Sequence, residues 1–212
     1  MKIAFIGYGS MAEALGVKWA EDHELSFAGR SREKATALAN RIGHGAVSRP
    51  SVVDASTWAD VVVLATRHEA IPLFIDELVD STRRKTVIDI NNPVVPPNFN
   101  TSDTYRPSLA EWIAARLPDA RVVKAFNQCQ ASVWAHPQPV FGGQRLAVPI
   151  CGDDADSKSV VSALIDQVGC DAVDFGRLDR SAALEAMASM VIQLLHTGHD
   201  LMTVFNLIRP EK

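Results

Sequence analysis

The chain begins with a short apolar segment that runs directly into a glycine loop. Residues 2–6, Lys-Ile-Ala-Phe-Ile, are followed by Gly7, Gly9 and Ala12 in a G-x-G-x-x-A spacing, and a segment with helical periodicity comes next. In such a loop the first glycine permits a tight turn, the second lets the backbone approach a pyrophosphate, and a small third residue lets the helix pack near the strand. The pattern predicts a strand, loop and helix that bind a dinucleotide; a purely structural turn is the alternative.

Runs rich in β-branched residues alternate with longer segments of helical period along the chain. We predict strands at Lys2–Ile6, Glu24–Ala28, Val61–Ala65, Thr86–Ile90, Arg121–Ala125, Leu146–Cys151 and Cys170–Asp174. We predict helices at Ser10–Glu21, Arg32–Ile42, Glu69–Val79, Ser108–Arg116, Asp156–Val168 and Ser181–His196, and a loop from Asn91 to Pro107. This alternation predicts an α/β fold whose parallel strands are covered on both faces.

Charge and cysteine content exclude several classes of protein. The formal net charge of −4, without a run of five or more lysine and arginine residues, argues against a nucleic-acid-binding surface. The three cysteines, Cys129, Cys151 and Cys170, are too widely spaced for a disulfide framework or a C-x-x-C site. No apolar run approaches the roughly 20 residues of a membrane span. We therefore expect a cytoplasmic protein with no nucleic-acid partner, no membrane partner and no metal site.

The end of the second predicted strand carries the information about cofactor choice. A protein that selects NAD usually places an acidic residue there, which binds the ribose hydroxyls. This chain instead has Arg30, Ser31 and Arg32 after Gly29. Guanidinium groups and a hydroxyl suit a 2′-phosphate, so we predict NADP(H) rather than NAD(H). Ser31 is also a good N-cap for a solvated helix start, and both roles are compatible.

Four further blocks together resemble a known family: residues 61–66 (VVVLAT), 86–93 (TVIDINNP), 122–127 (VVKAFN) and 148–154 (VPICGDD). With the glycine loop, they resemble the NADP oxidoreductase family named for coenzyme F420, whose members transfer a hydride between NADPH and that deazaflavin. The family is similar to the reductase domain of the metal-reducing STEAP proteins. The resemblance extends from Met1 to about Leu195.

The resemblance implies a Rossmann-type, doubly wound, mostly parallel sheet with a small helical C-terminal portion. Residues 1–127 would form the NADP(H)-binding domain, and residues 128–212 a smaller α/β portion that completes the acceptor cleft. It also implies cofactor contacts at the pyrophosphate (Gly7, Tyr8, Gly9, Ser10, Met11), the 2′-phosphate (Arg30, Ser31, Arg32), the adenosine ribose or nicotinamide (Ala65, Thr66, Arg67) and the nicotinamide and acceptor side (Asn92, Pro93, Ala125, Phe126, Asn127).

The acceptor itself stays open. Many family members have Val-Pro and an aromatic residue where this chain has Thr66, Arg67 and His68. We expect a small-molecule acceptor, coenzyme F420 or a flavin. Hydride transfer between two ring cofactors needs little from side chains, so we predict no catalytic acid or base. A carbonyl or imine substrate would need a proton donor, and His68, Lys124 and His136 would be the candidates.

Two other functional classes are compatible with the same fold. The glycine loop also resembles the start of pyrroline-carboxylate reductases, but only residues 177–212 are left for the long helical domain that those enzymes need. A redox sensor that binds NADP(H) without turnover is the non-enzymatic alternative. The C-terminal segment is apolar at helical spacing, and we expect it to take part in a homodimer. Its apolar residues are Leu184, Met187, Ala188, Val191, Leu195, Leu201, Met202, Val204, Phe205, Leu207 and Ile208.

Overall fold

The computed structural model describes residues 1–199. Its strands are β1 (Lys2–Ile6), β2 (Glu24–Ala28), β3 (Val47–Ser48), β4 (Val61–Leu64), β5 (Thr86–Asp89), β6 (Val94–Val95), β7 (Asn100–Thr101), β8 (Arg121–Lys124), β9 (Val140–Phe141), β10 (Gln144–Arg145), β11 (Ala147–Gly152) and β12 (Asp171–Asp174). Its α-helices are α1 (Ser10–Trp19), α2 (Arg32–Ile42), α3 (Val52–Trp58), α4 (Leu109–Arg116), α5 (Ala131–Trp134), α6 (Ala155–Val168) and α7 (Ser181–His196).

Eight of the strands form one sheet in the order β12-β11-β8-β5-β4-β1-β2-β3. Neighbouring strands are parallel throughout, except that β11 pairs antiparallel with β8. The chain runs from β1 outward through β2 and then returns to the other side of β1 with β4. This reversal of strand order marks the place where open α/β sheets bind ligands, at the carboxyl ends of the strands.

Helices cover both faces of the sheet, as the apolar strands require. One core cluster joins α1, α2 and α6 to the sheet, with Trp19, Leu38 and Leu164 fully buried. The other joins α3 and α4 to the opposite face, with Ala55 and Ile113 fully buried. The Rossmann-type, doubly wound α/β fold is therefore confirmed, including the helical C-terminal element α7.

The predicted strands and most predicted helices occur within one or two residues of the expected bounds. The helix predicted at Glu69–Val79 is wrong: Pro72 interrupts the segment, which forms two 3-10 helices, His68–Leu73 and Ile75–Leu78. The loop predicted at Asn91–Pro107 contains the β6–β7 hairpin and a 3-10 turn at Asp103–Tyr105.

The C-terminal part of the chain continues the same sheet. Strands β11 and β12 are its last two members, so the proposed division at residue 127 falls between neighbouring strands of one sheet and stays a prediction. Six apolar residues of the expected dimer region lie outside the described residues: Leu201, Met202, Val204, Phe205, Leu207 and Ile208. Within residues 1–199, none of the helices is both long enough and apolar enough to cross a membrane.

Candidate functional site

A cleft of about 730 Å³ lies at the carboxyl ends of β1, β2 and β4, where the strand order reverses. It contains seven of the predicted cofactor contacts: Gly7, Tyr8, Gly9, Arg30, Ala65, Thr66 and Arg67. The sequence did not indicate its remaining lining residues: Ile6, Gly29, Pro50, Ser51, Val52, Glu69, Ala70, Leu73 and Phe74. One sequence feature could have indicated Ser51 and Val52: Ser51 is the N-cap of α3, and its hydroxyl accepts a hydrogen bond from Asp54 N at 3.0 Å.

The two glycines of the loop have different roles. Gly7 has φ +132°, and a Cβ there would lie 2.2 Å from the carbonyl oxygen of Ala65, so the turn requires glycine. Gly9 has an ordinary φ of −84°, and a Cβ there would meet no atom within 4 Å. Gly9 is also the N-cap of α1 and provides no side chain to cap it. The N-terminus of α1 therefore presents a positive dipole end to open space beside the cleft, as a phosphate site requires.

Tyr8 connects the glycine loop to the arginine-containing loop. Its hydroxyl accepts a hydrogen bond from Ser31 N at 3.2 Å, and its ring packs on Gly29, where an added Cβ would come within 2.7 Å. The Tyr8 side chain thus fixes the start of α2 relative to the cleft. Of the other two residues predicted at the pyrophosphate, Ser10 is exposed and Met11 is half-buried against the core. Neither lines the cleft.

The residues predicted at the 2′-phosphate are close together at the end of β2. Arg30 is exposed and lines the cleft. Ser31 is the N-cap of α2, where its hydroxyl accepts a hydrogen bond from Lys34 N at 3.2 Å. Arg32 is exposed at the first position of α2. The capping role of Ser31 is thus present, and of the three residues only Arg30 lines the cleft.

The opposite side of the cleft follows β4. Ala65, Thr66 and Arg67 line it, and Thr66 Oγ1 is a buried hydroxyl oxygen without a hydrogen-bond partner in the structure. Buried polar atoms are nearly always paired in proteins, so an unpaired one on a cleft wall is a place for a ligand atom. The cleft therefore offers glycines, a helix N-terminus, arginines and an unpaired hydroxyl. These groups fit a phosphorylated dinucleotide.

The residues predicted on the nicotinamide side lie after β5 and β8 and do not line this cleft. Asn92 and Asn127 form a pair: Asn92 Nδ2 donates to the carbonyl oxygen of Asn127 at 2.6 Å, and Asn127 Nδ2 donates to Asn92 Oδ1 at 2.9 Å. Pro93 and Ala125 are buried beside them. The pair joins the two strand ends, and the Oδ1 atom of Asn127 is buried without a donor.

Phe126 is buried in the core. It has φ +57°, an uncommon conformation for a residue with a side chain, and its ring makes edge-to-face contacts with Trp19 and Trp134. The ring-centroid distances are 5.8 and 5.4 Å. These contacts hold the backbone turn that brings Asn127 opposite Asn92. The predicted contacts of all five residues with a bound nicotinamide stay predictions.

A fully buried ionic cluster lies at the same end of the sheet. Lys124 Nζ is 2.8 Å from both Asp89 Oδ2 and Glu185 Oε1, and it also donates to the carbonyl oxygen of Asn91 at 2.5 Å. Burial alone would lower the pKa of Lys124, but the two carboxylates outweigh that effect and raise it. Burial raises the pKa of Glu185 despite its attraction to Lys124. Lys124 is thus a bound cation that joins β5, β8 and α7.

The three candidate proton donors for a carbonyl or imine substrate have different surroundings. Lys124 is sequestered in its ion pairs. His68 is buried against Tyr105, and this burial lowers its pKa below the ordinary histidine value. His136 is exposed, and its Nδ1 is 2.5 Å from the carbonyl oxygen of Gln138. None of the three lines the cleft.

Comparison with known proteins shows that this chain is similar to NADP-dependent oxidoreductases. The family model described as "NADP oxidoreductase coenzyme F420-dependent" matches residues 2–93. The F420-dependent NADP reductase of Methanocaldococcus jannaschii is 29% identical in an alignment 209 residues long that covers 92% of each chain. Metalloreductase STEAP3 of Rattus norvegicus is 29% identical over 192 residues, 88% of this chain but 36% of that relative. The resemblance inferred from the sequence blocks is confirmed.

Solved structures show a similar likeness. A protein from Arthrobacter sp. FB24, assigned as an F420-dependent NADP-reductase, superposes with a TM-score of 0.80 at 28% identity and covers 94% of this chain and 96% of its own. A pyrroline-5-carboxylate reductase from Coxiella burnetii reaches a TM-score of 0.64 at 21% identity, covering 97% of this chain and 72% of its own. At this identity, the similarity to the pyrroline-5-carboxylate reductase shows a shared fold only.

Proposed function

We propose that this chain, whose residues 2–93 match the model of the coenzyme F420-dependent NADP oxidoreductase family, transfers a hydride between NADP(H) and a deazaflavin or flavin-type acceptor. The observation that carries this proposal is the cleft at the reversal of strand order, where Gly7, Gly9 and the uncapped start of α1 adjoin Arg30. When bound, NADPH supplies the hydride and leaves as NADP⁺, while the acceptor ring takes up the hydride and a proton from water.

The protein's part in this reaction is to bind and orient. Backbone N–H groups at the start of α1 would hold the pyrophosphate, and Arg30, Ser31 and Arg32 would hold the 2′-phosphate. Thr66 would donate or accept at the unpaired Oγ1. On the apolar wall, exposed Leu73 and half-buried Val52 and Phe74 would exclude water from one face of the adenosine portion. Leu73 is 71% exposed and lines the cleft, so a bound adenosine portion would cover it.

No side chain is required as a general acid or base. Lys124 cannot donate a proton without leaving two buried carboxylates uncompensated, so it acts as a structural cation. The Asn92–Asn127 pair at the ends of β5 and β8 would line the nicotinamide and acceptor side, and the unpaired Oδ1 of Asn127 supports a polar ligand group there. Orientation and exclusion of water then supply the rate enhancement.

The acceptor is tested by following the nicotinamide absorbance band of NADPH with a panel of acceptors: coenzyme F420, FMN, FAD, ferric chelates and a quinone. We expect oxidation of NADPH with the deazaflavin or with a flavin, at a rate proportional to enzyme concentration. Oxidation only by ferric chelates would instead favour a metalloreductase-like acceptor. Tight NADPH binding without oxidation by any acceptor would contradict the proposal.

We also propose that the protein acts in the cytoplasm.

We propose further that two copies associate through α7. Helix α7 exposes three large apolar side chains, Met187, Met190 and Leu195, which are 39%, 47% and 54% exposed. A second copy packed on that face would cover them, and a closed two-fold pair is the commonest way for identical chains to do so. Light scattering at micromolar concentration should give twice the mass of the chain. A mass of one chain would exclude this dimer.

A further inference from the structure

The cleft has charged residues on both of its walls. Arg30 follows β2 and Arg67 follows β4, and these two strands flank β1 in the sheet. Since neighbouring strands lie about 4.8 Å apart, the two arginine-containing loops begin roughly 10 Å from each other. Glu69 also lines the cleft, and among the described lining residues it is the only carboxylate. A negative charge inside a site for phosphates needs a physical explanation.

Glu69 is bound to Arg67 in a two-point ion pair. Arg67 Nη2 donates to Glu69 Oε1 at 2.9 Å, and Arg67 Nε donates to Glu69 Oε2 at 3.3 Å. Burial is the largest single effect on Glu69 and would raise its pKa, but the hydrogen bonds from Arg67, a backbone hydrogen bond and the nearby charges of His68 and Arg67 together lower it. The guanidinium fork of Arg67 is therefore occupied by a carboxylate, in the geometry with which arginine otherwise binds a phosphate.

We propose that Glu69 is a positioning residue that limits the preference of this cleft for NADPH over NADH by neutralising Arg67. The inference rests on the proposed function, since it takes NADP(H) to be the ligand. In this arrangement Arg30 would bind the phosphate directly. Arg67 would be a second phosphate ligand, but its guanidinium is already hydrogen-bonded to Glu69.

Electrostatics decides the direction of the effect. A phosphate monoester carries nearly two negative charges at neutral pH, so Glu69 repels it directly and also competes with it for Arg67. NADH has a hydroxyl in that place, and the two cofactors share their pyrophosphate. Removing the charge of Glu69 should therefore strengthen NADPH binding more than NADH binding. The side chain of Arg67 is 87% exposed, so the effect is screened by salt.

The test is a fluorescence titration of the full chain with NADPH and NADH at low and high salt. The variants are Glu69→Gln, Arg67→Gln, the double variant, and Glu77→Gln as the matched control. Glu77 is an exposed carboxylate of the next 3-10 helix and does not line the cleft. In Glu69→Gln we expect the Kd for NADPH to fall about three- to ten-fold and the Kd for NADH by less than about two-fold. The gain should shrink at high salt.

The double variant separates the mechanism from a general change in charge. If Glu69 acts mainly through Arg67, then Glu69→Gln should give a clearly smaller gain in the Arg67→Gln background than in the parent, because only the direct repulsion between Glu69 and the phosphate is left to remove. Equal gains for both cofactors, a full gain in the Arg67→Gln background, or the same gain in Glu77→Gln would each overturn the inference. If the parent protein binds neither cofactor, the proposed function fails together with this inference, which is a different result from an unchanged ratio of the two Kd values.

Discussion

Lys124 of β8 and Glu185 of α7 form an ion pair at 2.8 Å in which both side chains are buried. Glu185 also accepts hydrogen bonds from the backbone N–H groups of Leu109 and Ala110 at 3.0 and 3.3 Å, so it caps the start of α4 at the same time. A single carboxylate therefore joins the sheet, α4 and the C-terminal helix. Breaking the pair should affect the folding of the whole chain.

Replacing Lys124 by Met should lower the free energy of unfolding by about 3–5 kcal/mol, because it leaves Asp89 and Glu185 buried without their cation. The matched control is Lys158→Met, which removes a more exposed pair with Asp174 and should cost less than about 1 kcal/mol. Urea denaturation followed by circular dichroism measures both. Equal losses in the two variants would contradict the assignment of a buried cluster.

The two glycines of the phosphate loop should respond differently to alanine. Gly7→Ala should destabilise the protein by more than about 2 kcal/mol, because φ is +132° and the new Cβ would overlap the carbonyl of Ala65. Gly9→Ala should leave the free energy of unfolding within about 0.5 kcal/mol, since nothing lies near its Cβ. Its Kd for NADPH should nevertheless rise about ten-fold, since a methyl group would intrude where the backbone must approach the pyrophosphate. A stable Gly9→Ala variant with unchanged NADPH affinity would place the pyrophosphate elsewhere.

His68 should contribute to the pH dependence of stability. Burial lowers its pKa in the folded state, so the unfolded chain binds more protons than the folded one as the pH falls below about 6.5. The contribution of His68 to the free energy of unfolding is therefore present at neutral pH and is lost on acidification. For a single titrating group this free energy falls by less than about 1.4 kcal/mol per pH unit.

The variant His68→Phe keeps an aromatic ring beside Tyr105 but cannot be protonated. Urea denaturation at pH values between about 7.5 and 5.5 should show a smaller loss of stability in the variant than in the parent. Identical slopes in the two proteins would show that His68 titrates normally.

Arg30 should determine the affinity for the 2′-phosphate. Arg30→Ala should raise the Kd for NADPH at least about ten-fold, the value of one lost charge-assisted hydrogen bond, and change the Kd for NADH by less than about two-fold. Arg83→Ala serves as the control, because Arg83 is exposed and pairs with Asp80 and Asp119 outside the cleft. Parallel losses for both cofactors would assign Arg30 to the pyrophosphate instead.

The sequence predicted the parts of this molecule that depend on local pattern. Continuous apolar runs and the glycine spacing located the strands of the sheet and the loop at Gly7 and Gly9. Helix α3, whose first residue Val52 lines the cleft, was not predicted, because a helix of seven residues leaves almost no periodic signal. Pro72 was present in the sequence, and its effect on the helix predicted at 69–79 could have been foreseen.

Contacts between distant segments could not be predicted in this way. The partners of Lys124 come from β5 and α7, and nothing in the VVKAFN block indicates them. The one available signal was Glu185 itself, a carboxylate that follows Leu184 on the buried face of α7. Likewise, the pairing of Arg67 with Glu69 depends on the turn that starts the 3-10 helix at His68.

The most direct test of the central claim uses NADPH that carries deuterium at the transferable position. The protein is mixed anaerobically with this NADPH and with coenzyme F420 or FMN, and the reduced acceptor is analysed by mass spectrometry or proton NMR. We predict that deuterium appears on the reduced deazaflavin, or that the flavin is reduced with formation of one NADP⁺ per acceptor, and that both depend on the protein. Bound NADPH that is recovered unoxidised with its deuterium in place, for both acceptors, would contradict the account.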